Sequence, residues 1–123
     1  AYEWVKMASA SSESFAIQVD DKAVGAIGIL LKDDIYQQNA EIGYWLGEAY
    51  WGNHIISKAI PDVVDYTFAN YNIHRIYAGI FEYNAPSMKV LEKAGFEKEA
   101  ILKKSLVKEG KLYDEHIYAR YRQ

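Results

Sequence analysis

Residues 82–97 read EYNAPSMKVLEKAGFE and carry the start and stop signals of one complete helix. Asn84 is of a residue type that commonly caps helices, and Pro86 suits the first helical turn. Gly95 supplies the left-handed position that often ends a helix, and Phe96 provides the apolar contact that usually follows it. The stretch therefore predicts a short helix between Asn84 and Gly95.

A strand, a longer helix and a second strand are predicted upstream of this short helix. Residues 40–46 (AEIGYWL) and 73–81 (IHRIYAGIF) are typical of strands, and the apolar period between them, over residues 53–70, is helical. Two strands joined by a helical crossover run parallel in the same sheet. We therefore expect one parallel strand pair at the centre of the fold.

Two hairpins are predicted on either side of this central unit. The first joins residues 15–19 to residues 23–31, and the last joins residues 99–107 to residues 112–121. Residues 1–10 suit the tail of a helix. The whole order predicts the α/β class, with a mixed and mostly antiparallel sheet flanked by helices.

The composition excludes several classes of protein and site. The chain has 123 residues, which fits one domain, and it has no Cys for a disulfide, a thiolate zinc site or a thiol nucleophile. Its net charge of -3 gives no reason to expect a nucleic-acid partner. The longest apolar run, residues 23–31, is far shorter than the about 20 residues that span a bilayer. We expect a cytoplasmic protein with no membrane partner.

Two short motifs each have a functional and a purely structural interpretation. The junction at residues 47–56 leads from a strand into a helix, whose first N–H groups can bind a phosphate. An ordinary turn, with Gly52 in a special conformation, explains the same residues. Asn84 and Ser87 likewise suit helix capping alone. His74 and His116 are isolated, so we expect no metal site.

Residues 41–52 (EIGYWLGEAYWG) and 82–97 together resemble the GNAT acetyltransferases. The similarity covers about residues 15–121 and is strongest to the branch with ribosomal-protein N-terminal and polyamine acetyltransferases. It implies one GNAT-like domain over residues 1–123. It also implies that acetyl-CoA is the co-substrate, and that the acceptor is a primary amine on a protein N-terminus, a polyamine or another small molecule.

The resemblance further implies that the N-terminal part of the usual fold is missing. GNAT proteins generally begin with a strand and two helices, so residues 1–10 would be the tail of the second helix. The chain would then be a fragment of a longer product, or a truncated relative whose sheet edge is covered by something else.

The resemblance also implies a set of cofactor contacts. Backbone groups near the end of the third predicted strand would hold the thioester and pantetheine, and the following loop would hold the diphosphate. The implied cofactor residues are Tyr44, Trp45, Leu46, Trp51, Gly52, Asn53, His54, Ile55, Ile56, Asn84, Ser87 and Lys93.

The diphosphate loop departs from the GNAT pattern at two positions. The pattern usually reads Gln or Arg, two residues, Gly, one residue, then Gly or Ala. Here His54 stands at the glycine and Ile56 at the small last position. A protonated His54 would be able to contact a phosphate itself, although the positive end of the helix dipole opposes that protonation.

Two residues are candidates for the acid–base chemistry. Glu41 lies on one strand face with Gly43, which leaves space beside its carboxylate, so Glu41 is the candidate general base. The alternatives for Glu41 are a solvated carboxylate or an ion pair with a strand lysine. By the resemblance, Ser87 is the candidate proton donor or cofactor contact, and its alternative is capping.

A second function stays open at this point. A catalytically silent GNAT-like module would bind a partner through an exposed sheet edge and its aromatic surface. A homodimer is a separate expectation, for either function. The altered loop at His54 and Ile56 favours that module, whereas Glu41, Asn84 and Ser87 favour the N-acetyltransferase.

Overall fold

The computed structural model describes residues 3–8, 12–51 and 54–123. Within these ranges seven strands form one sheet, in the order β1-β2-β3-β4-β5-β7-β6, and neither α-helix is long and apolar enough to cross a membrane. The elements are β1 (Glu3–Ala8), β2 (Ser12–Val19), β3 (Lys22–Leu31), β4 (Asn39–Leu46), α1 (Ile55–Asn70), β5 (Arg75–Phe81), α2 (Ala85–Lys93), β6 (Glu97–Lys108) and β7 (Lys111–Tyr121).

The sheet has the mixed topology that the sequence predicts. Only β4 and β5 pair in parallel, across the α1 crossover, and every other neighbouring pair is antiparallel. The β4–β5 register begins at Asn39 and Arg75 and ends at Glu41 and Tyr77. Beyond this last rung the two strands diverge, so residues 42–46 of β4 have no sheet partner on that side.

The first described segment is a strand, so the prediction that residues 1–10 form a helix tail is wrong over residues 3–8. The β1 backbone pairs with β2 from Glu3 opposite Gln18 to Ala8 opposite Glu13. A ten-residue segment has little helical stability of its own, and the unpaired edge of β2 offers a full row of backbone hydrogen bonds. Residues 1, 2, 9 and 10 of that prediction lie outside the described residues.

The hydrophobic core lies between one face of the sheet and the two helices. The apolar stripe of α1 faces the sheet and is buried, as the helical period predicts, and it includes Ile60 and Val63. Ile42 of β4 and Ile76 of β5 are buried beneath it.

The opposite face of the sheet carries Glu41, Gly43, Trp45, Gly79 and Phe81, and we call it the open face because no described helix packs on it. Trp45 is 60% exposed there.

Candidate functional site

The gap between β4 and β5 exposes backbone groups that a sheet would otherwise pair. Tyr44 and Leu46 lie in this unpaired part of β4, beyond the last rung at Glu41. On its other side, β4 pairs closely with β3. Glycine at position 25 permits this approach, since a Cβ atom there would come within 2.5 Å of the Trp45 carbonyl oxygen. A rigid strand with free N–H and C=O groups along one edge can bind an extended amide-containing chain as a strand would.

A cleft of about 560 Å³ opens at the end of β4, between the N-terminal turns of α1 and α2, and we call it the helix-end cleft. Its lining combines the exposed rings of β4 and the following turn with hydroxyl, amide and ammonium groups of the helices. The lining residues are Tyr44, Trp45, Leu46, Tyr50, Trp51, His54, Ile55, Ile56, Ser57, Asn84, Pro86, Ser87, Val90 and Lys93.

All the predicted cofactor residues that the structure describes line this cleft, whereas Gly52 and Asn53 lie outside the described residues. Sequence reasoning missed Tyr50, Ser57, Pro86 and Val90. Pro86 and Val90 flank the Asn84 and Ser87 motif on α2, so their helical spacing was the available signal.

The hydroxyl of Tyr44 joins β4 to α2 inside the cleft. It donates to the Ser87 carbonyl oxygen at 3.2 Å and forms a short contact with the Ser87 hydroxyl. Burial raises the pKa of the Tyr44 hydroxyl, and the hydrogen bond with Ser87 opposes that rise. Because the ordinary tyrosine pKa is already near 10, Tyr44 stays protonated at neutral pH and can donate a proton. The sequence predicted only a backbone role for this residue.

Asn84 caps α2 as the sequence predicts. Its side-chain oxygen accepts a hydrogen bond from the Ser87 backbone N–H at 3.3 Å, and α2 ends at Lys93, two residues before Gly95, which has a φ of +90°. The capping interpretation of Asn84 is therefore confirmed. Both Asn84 and Ser87 line the helix-end cleft, so the capping role leaves room for a ligand-binding role as well.

Glu41 lies outside the helix-end cleft, on the open face at the last rung before the gap. Its carboxylate is 3.3 Å from the Lys32 ammonium, with 42% of the Glu41 side chain exposed. A hydrogen bond with Tyr77, followed by the one with Glu41, raises the pKa of Lys32. The structure thus shows the ion pair that sequence reasoning offered as one alternative, and the general-base role of Glu41 stays a prediction.

Comparison with known proteins places this geometry in a family. A family model described as an acetyltransferase (GNAT) domain matches residues 1–97. The chain belongs to the GNAT family. The "Probable N-acetyltransferase YjcK" of Bacillus subtilis is 40% identical over 100 residues, which are 81% of this chain and 55% of that protein. The chain spans little more than half the length of this curated relative.

Two further GNAT relatives are informative. The ribosomal-protein-serine acetyltransferase of Escherichia coli is 28% identical over 109 residues, covering 89% of this chain and 60% of that protein. The structure of Mycobacterium smegmatis RimJ in complex with CoA-disulfide superposes with a TM-score of 0.82 at 31% identity, covering 90% of this chain and 53% of RimJ. The resemblance to the ribosomal-protein branch is therefore confirmed.

The backbone of His54 explains why the GNAT pattern has glycine at this position. His54 precedes α1 with φ of 59° and ψ of 22°, which is the left-handed region where glycine is favoured. Its carbonyl oxygen accepts from the Lys58 N–H at 3.1 Å and from the Ser57 hydroxyl at 3.0 Å. Within the described part of the chain, the His54 side chain makes no capping hydrogen bond to α1, and the first turn of α1 contains no acidic residue. The first N–H groups of α1 therefore suit an anion.

Proposed function

We propose that this GNAT chain transfers an acetyl group from acetyl-CoA to a primary amine. The observation that carries the proposal is the helix-end cleft, which joins the unpaired edge of β4 to the start of α1 and to Ser87 on α2. The E. coli relative is a ribosomal-protein-serine acetyltransferase, and RimJ was crystallised with a CoA derivative. Both descriptions support the same reaction class for this chain.

The cofactor would lie along three parts of the cleft. Pantetheine amides would pair with the free backbone edge of residues 44–46, as an added strand would. The diphosphate would bind at the first turn of α1, next to His54, where N–H groups and the helix dipole favour an anion. Ser87 and Lys93 would contact the remainder of the cofactor from α2.

The reaction needs one proton removed and one supplied. The amine nitrogen attacks the thioester carbonyl carbon, a C–N bond forms, the C–S bond breaks and the thiolate leaves. Glu41, on the open face beside the gap, would accept the amine's proton directly or through water. Tyr44, held by Ser87 and kept protonated by its raised pKa, would protonate the thiolate. The acceptor is a protein N-terminus, a polyamine or another small amine.

Substitution of Glu41 tests the acid–base assignment. We expect Glu41→Gln to lower kcat by roughly 10² or more, which is the usual worth of general-base assistance, with the Kd for CoA unchanged. CoA release from acetyl-CoA in the presence of an amine, with the mass of the acetylated product, gives the rate.

Lys32→Gln is the matched control, because it breaks the same ion pair and leaves the carboxylate in place. If Glu41 serves only as an ion-pair partner, the two variants will lose activity equally. If the wild-type chain neither binds CoA nor acetylates any amine, the silent interaction module replaces the enzyme as the better description.

A further inference from the structure

Glu115 of β7 occupies an unusual place on the open face. Its carboxylate lies directly against Gly79 of β5, where an added Cβ atom would come within 2.0 Å of Oε2. The φ of Gly79 is not in the left-handed region, so the backbone conformation does not require glycine here. The lack of a side chain instead leaves space for the Glu115 carboxylate. Glu115 is opposite Phe81 in the β5–β7 register, which places both side chains on the open face.

An irregular segment of β6 supplies a hydrogen bond to the Glu115 side chain, while a lysine of the same segment pairs with another carboxylate. The β6–β7 register shifts between Leu102 and Leu106, and Lys104 within the shift has a φ of 53°. This bulge brings the Ser105 hydroxyl to Glu115, where it donates to Oε1 at 3.2 Å. Lys103 instead pairs with Asp114 at 3.4 Å. Bulges that redirect side chains in this way recur next to functional sites.

No cation among the described residues lies within ion-pair distance of Glu115, in contrast to Glu41 with its Lys32 partner. Two aromatic residues neighbour Glu115 on this face, because Phe81 is opposite it in the register and Tyr113 is two residues away on β7. Their rings pack edge to face with centroids 5.7 Å apart. The lysine ammonium of Lys111 already lies over the Tyr113 ring at 5.4 Å, which shows that such rings accept a cation here. A carboxylate without a cation, bordered by aromatic rings, is suited to an alkylammonium group.

We propose that Glu115 binds a second ammonium group of the acceptor, so that the enzyme prefers acceptors with two amines. This inference rests on the proposed acetyl transfer. Gly79 lies two residues beyond Tyr77, the rung opposite Glu41, which is about 7 Å along β5 by the rise of a strand, and β5 at that rung lies about 5 Å across the sheet from β4. A short diamine with one amine at the gap beside Glu41 would therefore extend its other ammonium over Gly79, toward the Glu115 carboxylate.

The experiment compares two acceptors of equal length, a linear diaminobutane and the aminobutanol in which a hydroxyl replaces one amine. The wild-type chain is expected to show a lower KM for the diamine. Glu115→Gln, which keeps the shape and removes the charge, is expected to raise the KM for the diamine about tenfold and to leave that for the aminobutanol unchanged. Glu109→Gln, in the exposed β6–β7 turn, changes the net charge equally and is expected to match the wild type.

Gly79→Ala provides an independent test that leaves every charge in place. The added methyl group displaces only the flexible end of the Glu115 side chain, so the protein folds and the diamine preference falls as in Glu115→Gln. Equal KM values for both acceptors in the wild type, or a Glu115→Gln variant that keeps the preference, overturn the inference alone. Transfer to neither amine, with no binding of CoA, overturns the proposed function as well.

Discussion

At His54 the backbone has a conformation that favours glycine, although the residue is a histidine. A non-glycine residue in the left-handed region costs about 1–2 kcal/mol, and His54 adopts that conformation at the start of α1. The GNAT pattern avoids the cost with glycine and also lets the diphosphate approach the backbone. The turn has the conformation that favours glycine although its residue is histidine, so the loop geometry is specified by more than this one residue.

His54→Gly is therefore expected to tighten CoA binding. The free energy of unfolding should change by no more than about 1 kcal/mol, because relief of the left-handed strain is offset by the greater chain entropy of glycine. Calorimetric titration with CoA and chemical denaturation measure the two effects. His54→Ala is the control, since it removes the imidazole and keeps the Cβ atom and the strain. Weaker CoA binding in both variants would show instead that the imidazole contacts the phosphate.

Individual site residues were predictable to the extent that their role is local. Asn84 and Gly95 were identified because capping depends on neighbours a few residues away. The Tyr44 hydroxyl and Glu115 were not, because their partners Ser87 and Gly79 are more than thirty residues distant in the chain. No short-range pattern indicates such pairs, and only the strand register and helix packing bring them together.

At the scale of elements, α2 depends on its cap. Asn84→Ala should lower the free energy of unfolding by about 1 kcal/mol, because the Ser87 N–H then loses its side-chain acceptor. Asn84→Ser keeps an acceptor at the same position and should recover most of that loss. Denaturant unfolding of the three proteins measures the difference. An Asn84→Ala variant as stable as the wild type would mean that the 3.3 Å hydrogen bond contributes nothing to α2.

Elements with local sequence signals were predicted correctly, whereas the one element that depends on a distant partner was not. Both hairpins follow from their turns, where Asp20 and Asp21, and again Glu109 and Gly110, all have positive φ. The buried stripe of α1 follows from the helical period of its apolar residues, and the parallel β4–β5 pair follows from the strand–helix–strand order. Strand β1 was mistaken for a helix tail because its only reason to be extended is the edge of β2, and the sequence of residues 3–8 does not contain that information.

At the scale of the whole molecule, the proposed cofactor and acceptor contacts lie on different sides of the sheet. The residues proposed to contact the cofactor line the helix-end cleft, which the unpaired edge of β4 continues, whereas Glu41 and Glu115 lie on the open face. The β4–β5 pairing ends at Glu41 and Tyr77, and the gap beyond this rung lies between the cleft and the open face. Acetyl-CoA bound in the cleft would place its thioester in the gap, and an amine would approach that thioester from the open face.

This separation predicts how ligands change the stability of the fold. CoA at one hundred times its Kd should stabilise the folded chain by about 2.7 kcal/mol, because only the folded state brings β4, α1 and α2 together around the cleft. Thermal unfolding with and without CoA measures the shift in Tm. Glu41→Gln and Glu115→Gln should show the wild-type shift, since neither side chain lines the cleft, whereas Ser87→Ala should show a smaller one. A lost shift in either open-face variant would mean that CoA extends across the gap onto the acceptor side, and that the two sides of the sheet are not divided between cofactor and acceptor.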